Sequence, residues 1–78
     1  MPEISRFYGI KIKMYFNDHA PPHFHAEYQG KIGKYEIDPV RLLEGKIPPT
    51  AHKLVLQWAK LYKKELITNW KLSKRKQS

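Results

Sequence analysis

The 78-residue sequence has no cysteine, and this absence limits the chemistry that the chain can perform. Disulfide bonds and thiolate metal sites are excluded, so histidine and carboxylate side chains are the available protein ligands and proton carriers. Long apolar runs are also missing. No segment approaches the roughly 18 consecutive apolar residues that a membrane-spanning helix needs, and the N-terminus lacks the apolar core of a signal peptide. We therefore expect a cytoplasmic protein without a membrane partner.

Acidic residues are scarce. Seven Asp and Glu stand against 15 Lys and Arg, which gives a formal net charge of +8. An excess of positive charge favours a polyanion or an acidic protein as partner, although many small basic proteins use such charge only to stay soluble. Five Tyr, three Phe and two Trp are interleaved with the basic residues. Aromatic rings among cations suit RNA or another single-stranded nucleic acid.

The first half of the chain has the patterns of an antiparallel sheet. Apolar side chains alternate through residues 8–16 and predict a half-buried strand, with one face formed by Tyr8, Ile10, Ile12, Met14 and Phe16. Gln29-Gly30 separates the runs 23–28 and 31–37 as a hairpin loop would, and Val40 to Leu43 is a further short strand candidate.

The second half predicts a helix. From Pro49 or Thr50 to about Leu72 the apolar residues recur at helical spacing, and most lysines lie off this stripe. The sequence therefore predicts one α+β domain over residues 1–78. A small antiparallel sheet of three to four strands (about 6–44) packs against one long C-terminal helix (about 50–72), and residues 73–78 form a basic tail. A chain this short has a small core, so a homodimer is an additional expectation.

Three of the four histidines fall between positions 18 and 28. If the stretch after Pro22 is extended, one side of the strand carries His23, His25 and Glu27, and the other carries Phe24, Ala26 and Tyr28. A two-residue hairpin loop would pair Tyr28 with Lys31, which sets His25 opposite Lys34 and His23 opposite Glu36. His52, in the first helical turn, is expected to be an ordinary surface residue.

Three interpretations of the cluster remain open. Histidine can simply occupy the solvent face of a sheet. Alternatively His19, His23 and His25 form a site for zinc or another divalent metal. In the third interpretation no cofactor is needed. The residues Asp18, His19, His23, His25 and Glu27 then perform acid–base chemistry, as in metal-independent RNA cleavage, while positive charge and stacking come from Arg6, Tyr8, Lys11, Lys13 and Lys34.

The chain contains the motifs Ile4-Ser5-Arg6-Phe7-Tyr8-Gly9-Ile10, Met14-Tyr15-Phe16-Asn17-Asp18-His19, Pro21-Pro22-His23-Phe24-His25-Ala26-Glu27-Tyr28, Leu43-Glu44-Gly45-Lys46-Ile47-Pro48, Leu54-Val55-Leu56-Gln57-Trp58, Glu65-Leu66 and Asn69-Trp70. Together these motifs resemble those of a known small bacterial family, catalogued as domain of unknown function 4160. The most specific is the run Pro-Pro-His-Phe-His-Ala. The resemblance covers nearly the whole chain.

The resemblance implies a role as one half of a two-gene module, often beside a gene for domain of unknown function 2442, and hence a type II toxin–antitoxin system. Combined with the residues, it leads us to expect a toxin that acts on or binds RNA through a histidine-lined sheet face and is neutralised by a partner antitoxin of the second family. The alternative is a non-catalytic antitoxin or nucleic-acid-binding regulator whose histidines bind a metal or shape the surface.

Overall fold

A computed structural model describes residues 3–15 and 20–75 of the chain. Within these residues, five strands precede two helices. The strands are β1 Glu3–Phe7, β2 Ile10–Lys13, β3 His23–Tyr28, β4 Lys31–Ile37 and β5 Val40–Gly45, and the helices are α1 Pro49–Leu61 and α2 Lys63–Arg75. The strands form one antiparallel sheet in the order of the sequence. The fold is α+β, as the sequence predicts.

The sheet has five strands, so the expectation of three to four was too low. The strand that the sequence pattern missed is β1, which pairs with β2 through an irregularity between Glu3 and Ser5. This bulge breaks the period-two alternation on which strand recognition depends. Tyr8 was assigned to the buried face of a strand, but it lies in the β1–β2 turn with a φ of 48° and is 80% exposed.

The single long helix of the prediction is two helices, with the break at Tyr62. No Gly or Pro lies there, so the sequence carries no local signal for a break. A straight helix over residues 49–75 would be about 40 Å long, whereas strands of this size span about 20 Å. The bend allows Leu66 and Trp70 to be buried against the domain, with exposures of 1% and 6%. Tertiary packing therefore ends α1.

The hydrophobic core lies between the sheet and the helices. Ile10, Ile12 and Met14 are buried there, which confirms the predicted inner face of β2. Phe24 and Tyr35 stack on neighbouring strands with ring centroids 5.4 Å apart. The helices contribute the buried residues Ala51, Val55, Ala59, Leu66 and Trp70. Phe16, also predicted to face the core, lies outside the described residues. Among the described residues, neither helix is long and apolar enough to cross a membrane.

Candidate functional site

The predicted hairpin register is present in the sheet. Tyr28 pairs with Lys31, His25 with Lys34 and His23 with Glu36. Lys13 pairs with His25 on the other side of β3. Because directly paired residues project from the same face of a sheet, Lys13, His25 and Lys34 form a row across β2, β3 and β4. We call the sheet face that carries this row the outer face.

Charged residues continue the row to both edges of the sheet. Glu3 pairs with Lys13 at one end, and Glu44 pairs with Lys34 at the other. Neighbouring strands lie about 4.8 Å apart, so the three central side chains start within about 10 Å of one another. A positively charged strip therefore crosses the middle of the outer face, with a carboxylate at each end.

Two of the outer-face lysines remain available to bind an anion because they form no ion pair within the described residues. The Lys13 ammonium lies 3.2 Å from Oε2 of Glu27, and both side chains are partly buried. Lys11 and Lys34 make no ion pair with any carboxylate in the part of the chain that the structure describes. An incoming anion therefore meets Lys34 and Lys11 first, whereas binding to Lys13 competes with Glu27.

A shallow pocket of about 150 Å³ lies beside the row. Its lining includes His25, Lys34 and Glu44, and Ile32 forms an apolar wall that is 52% exposed. Cationic, anionic, hydrogen-bonding and apolar groups thus meet in one small depression. This combination can hold a flat polar group next to an anionic one.

His23 occupies a different environment from the solvent-facing position that strand alternation predicts. It pairs with Glu36 as expected but is only 1% exposed. The indole of Trp70 lies 5.0 Å from its ring, and the His25 ring lies 5.4 Å away. Its Nδ1 lies 2.7 Å from the carbonyl oxygen of Pro21. Since a carbonyl only accepts hydrogen bonds, Nδ1–H is the donor, which fixes the tautomer of the neutral ring.

His25 lies closer to solvent than His23 and is held between two rings. Tyr15 meets it edge to face at 4.7 Å, and His23 meets it at 5.4 Å. Such contacts restrict the ring to a narrow range of orientations. Of the two histidines on β3, His25 is therefore the one placed to touch a molecule on the outer face.

Asp18 and His19, two members of the predicted catalytic cluster, lie outside the described residues. The alternative metal site at His19, His23 and His25 includes one of them and stays a prediction. Among residues 3–15 and 20–75, no group of three His, Asp or Glu side chains is arranged to hold a metal ion.

The remaining predicted contact residues do not all join the row. Arg6 pairs with Lys11 across β1 and β2, but its Nε and Nη2 each donate a 2.9 Å hydrogen bond to the carboxylate of Glu3. The hydrogen bond from Arg6 holds the pKa of the Glu3 carboxyl below its ordinary value. Tyr8 is in the β1–β2 turn, next to Phe7 and α1. The Arg6 guanidinium is therefore occupied by its hydrogen bonds to Glu3, and Tyr8 lies on another surface.

His52 is not the ordinary surface residue that was expected. Its Nδ1 shares a 2.8 Å hydrogen bond with the hydroxyl of Tyr35, and the two rings stack at 5.7 Å. Tyr35 is fully buried on the core side of β4. This hydrogen bond and ring stack connect α1 to the sheet on the side opposite the outer face. Only the spatial approach of α1 to β4 could have revealed it, because the two residues are 17 positions apart.

The Tyr35 hydroxyl should make the protein less stable at alkaline pH. Burial raises the pKa of Tyr35 to about 12. An unfolded tyrosine ionises near pH 10, so the free energy of unfolding should fall between about pH 10 and pH 12 and lose about 1 kcal/mol by pH 11. Urea titrations of the parent and of Tyr35→Phe on both sides of pH 10 test this. The variant should lack the alkaline loss, and parallel pH profiles for the two proteins would contradict the assignment.

Comparison with known proteins gives a family and nothing more specific. A family model described as a domain of unknown function (DUF4160) matches residues 9–71, which is most of the chain. No curated protein and no solved structure matches the chain. The matched range contains strands β2 to β5 with the complete Lys13, His25 and Lys34 row.

Proposed function

Because the chain belongs to the DUF4160 family, whose function is unknown, we propose a function from the geometry of the outer face. The protein binds RNA there, and it is the toxin of a bacterial type II toxin–antitoxin pair. The observation that carries the RNA part is the row of Lys13, His25 and Lys34 on three adjacent strands. The toxin part rests on the resemblance to paired gene modules.

The chemistry of the outer face suits a phosphate backbone. Lys11 and Lys34 supply positive charge, and within the described residues neither forms a salt bridge with a carboxylate. Cations that replace condensed counterions provide most of the sequence-independent affinity for nucleic acid. The pocket wall of Ile32 and the ring of His25 add apolar and hydrogen-bonding surface for a base or a ribose.

We assign the contact role to His25 and a positioning role to His23. His23 is almost inaccessible, and its Nδ1–H is used by Pro21. Cleavage of RNA without a metal needs both a base and an acid near the scissile bond. His25 supplies one such group on the outer face, with Glu27, Asp18 or His19 as the candidates for the second. RNA binding is therefore the primary proposal. RNA cleavage is an additional step, and substitution of His25 tests it.

The cognate partner completes the proposal. We propose that an antitoxin, of the family catalogued as domain of unknown function 2442, neutralises the protein by denying RNA access to the outer face. A non-catalytic regulator with the same RNA-binding surface is the alternative, and it differs from the toxin in leaving cell growth unaffected.

Binding to RNA is expected to depend on Lys34 more than on net charge. We expect Lys34→Glu to weaken binding of a dye-labelled single-stranded oligoribonucleotide by about tenfold or more and to lower the salt dependence by one to two phosphate contacts. Lys53→Glu changes the net charge equally but lies exposed on α1, away from the outer face. It should weaken binding much less. Fluorescence anisotropy at several salt concentrations measures both variants.

Two outcomes would contradict the proposed RNA surface. One is a parent protein that shows no salt-dependent binding to the oligoribonucleotide. The other is an equal loss of affinity in Lys34→Glu and Lys53→Glu, because this would mean that binding follows net charge and has no preferred face.

A further inference from the structure

A second surface lies on the opposite side of the sheet from the outer face. It is a groove of about 370 Å³ between the β1–β2 turn and α1, and we call it the α1 groove. Its lining includes Tyr8, Leu54, Gln57, Trp58, Leu61 and Tyr62. None of these residues belongs to the row on the outer face, so the two surfaces can be tested separately.

The α1 groove collects exposed apolar side chains. Five large hydrophobic residues are exposed in the described part of the chain, and three of them line this groove: Tyr8 at 80%, Leu61 at 80% and Tyr62 at 42%. Scattered single apolar residues are normal on a protein surface, but a contiguous patch marks a site of interaction. The presence of three exposed apolar residues in one groove therefore indicates a surface that contacts another molecule.

Contacts between aromatic rings order part of the groove wall. Phe7 stacks on Trp58 at 5.3 Å, and Trp58 contacts Tyr62 at 5.6 Å. Tyr8 adopts a φ of 48°, a conformation that costs a non-glycine residue about 1 kcal/mol or more. Its ring meets Phe7 edge to face at 6.4 Å. The packed rings of Phe7, Trp58 and Tyr62 lose little conformational entropy on binding, which favours affinity.

Positive charge borders the groove along the helices. Lys53 and Lys60 lie one helical turn on either side of Gln57 on α1, and Lys64 lies in the first turn of α2. All three are exposed, and within the described residues none forms an ion pair. Among the residues that the structure describes, none that lines the groove is acidic. Charge complementarity therefore favours an acidic occupant.

The composition of the walls distinguishes between an acidic protein and a nucleic acid. Two aliphatic residues, Leu54 and Leu61, line the groove beside the rings. Bases bind single-strand sites by stacking on aromatic faces, whereas leucine side chains accommodate the apolar side chains of a peptide. The mixture of aliphatic and aromatic walls favours a protein.

We propose that the α1 groove binds an acidic segment of a partner protein, which inserts apolar side chains between Tyr8 and Leu61 while its carboxylates meet the lysines of the helices. This binding does not depend on the proposed RNA surface. A partner held in the groove leaves the outer face exposed unless it also extends around the β1 edge of the sheet.

The test uses the full chain and dye-labelled synthetic peptides. One peptide alternates glutamate with leucine, a second alternates glutamate with serine, and a third alternates lysine with leucine. The glutamate–leucine peptide should bind, and the other two should bind at least about tenfold more weakly, because each lacks one of the two required features. Backbone amide shifts on titration should be concentrated at Tyr8, Gln57 and Leu61.

Leu61→Glu and Leu72→Glu form a matched pair of variants. Both replace an exposed leucine on a helix by the same charge, but only Leu61 lines the groove. Leu61→Glu should weaken binding of the glutamate–leucine peptide by about tenfold or more, and Leu72→Glu should weaken it by less than about twofold. Leu61→Ala keeps the helix propensity high and provides a second variant. It should also lose affinity for the glutamate–leucine peptide, but less than Leu61→Glu.

Several outcomes would overturn the proposal. The first is an equal loss of peptide affinity in Leu61→Glu and Leu72→Glu. The second is binding of the glutamate–serine or lysine–leucine peptide as tight as that of the glutamate–leucine peptide. The third is displacement of the glutamate–leucine peptide from the groove by single-stranded oligouridylate. A parent protein that sediments as a dimer and becomes a monomer on Leu61→Glu would overturn it as well, because the occupant would then be a second copy of the chain.

Discussion

Replacing Gly45 by alanine is expected to destabilise the protein by about 3 kcal/mol or more, which is a large part of the stability of a domain of this size. Gly45 ends β5 with a φ of 88° and pairs with Gly33 of β4. A Cβ there would overlap the backbone carbonyl oxygen of Ile32 and come within 3.2 Å of the Gly33 Cα. Backbone atoms cannot move aside as a flexible side chain can, so the two strands would have to separate.

Gly30→Ala is the matched control for this substitution. Gly30 has a nearly equal φ of 79° in the β3–β4 turn, but no atom of the described residues lies within 4 Å of the position that a Cβ would take. The control isolates the conformational cost of alanine at a positive φ, which is about 1–2 kcal/mol. Urea denaturation followed by circular dichroism measures both variants. Similar losses for the two would contradict the close approach of β5 to β4 at the edge of the outer face.

The sequence predicted the central part of the sheet because two independent signals agree there. The alternation of polar and apolar residues in β2 and β3 assigns each side chain to a face, and Gln29-Gly30 fixes the hairpin that sets the register. This was enough to place His25 beside Lys34. Lys13 joined them only through the pairing of β2 with β3, because the connection between these strands is too long to define a register from sequence.

The sequence could not predict what depends on contacts between distant segments. His23 has the alternation of an outward-facing residue, but Trp70, which follows it by 47 positions, covers it. Trp70 reaches His23 because the helix breaks at Tyr62, where the local sequence favours continuation. The bond between Tyr35 and His52 likewise depends on how α1 lies on the sheet. In each case tertiary packing outweighs local preference.

The burial of His23 changes how the histidine cluster should be tested. Removing its ring would leave a cavity beside Trp70, so loss of activity in His23→Ala would report on folding as much as on function. His25→Gln retains a hydrogen-bonding side chain of similar length but carries no titratable proton near neutral pH. It therefore separates proton transfer from binding. Loss of activity with unchanged RNA affinity would indicate cleavage, and a parallel loss of both would indicate binding.

Growth of bacteria after induction of the chain should show the largest effect of all. The parent is expected to arrest growth, and Lys34→Glu is expected to restore it, because a charge reversal in the centre of the row removes the proposed RNA contact. Lys53→Glu, with the same change in net charge on α1, should still arrest growth. Equal soluble expression and equal circular dichroism spectra are required of all three proteins, so that a misfolded variant is not mistaken for an inactive one.

This growth assay is the most direct test of a toxin that works through the outer face. The account predicts arrest by the parent and by Lys53→Glu, and normal growth with Lys34→Glu. Normal growth with well-expressed parent would contradict the toxin assignment and favour a regulatory nucleic-acid-binding protein. Arrest that persists in Lys34→Glu would contradict the role of the row formed by Lys13, His25 and Lys34.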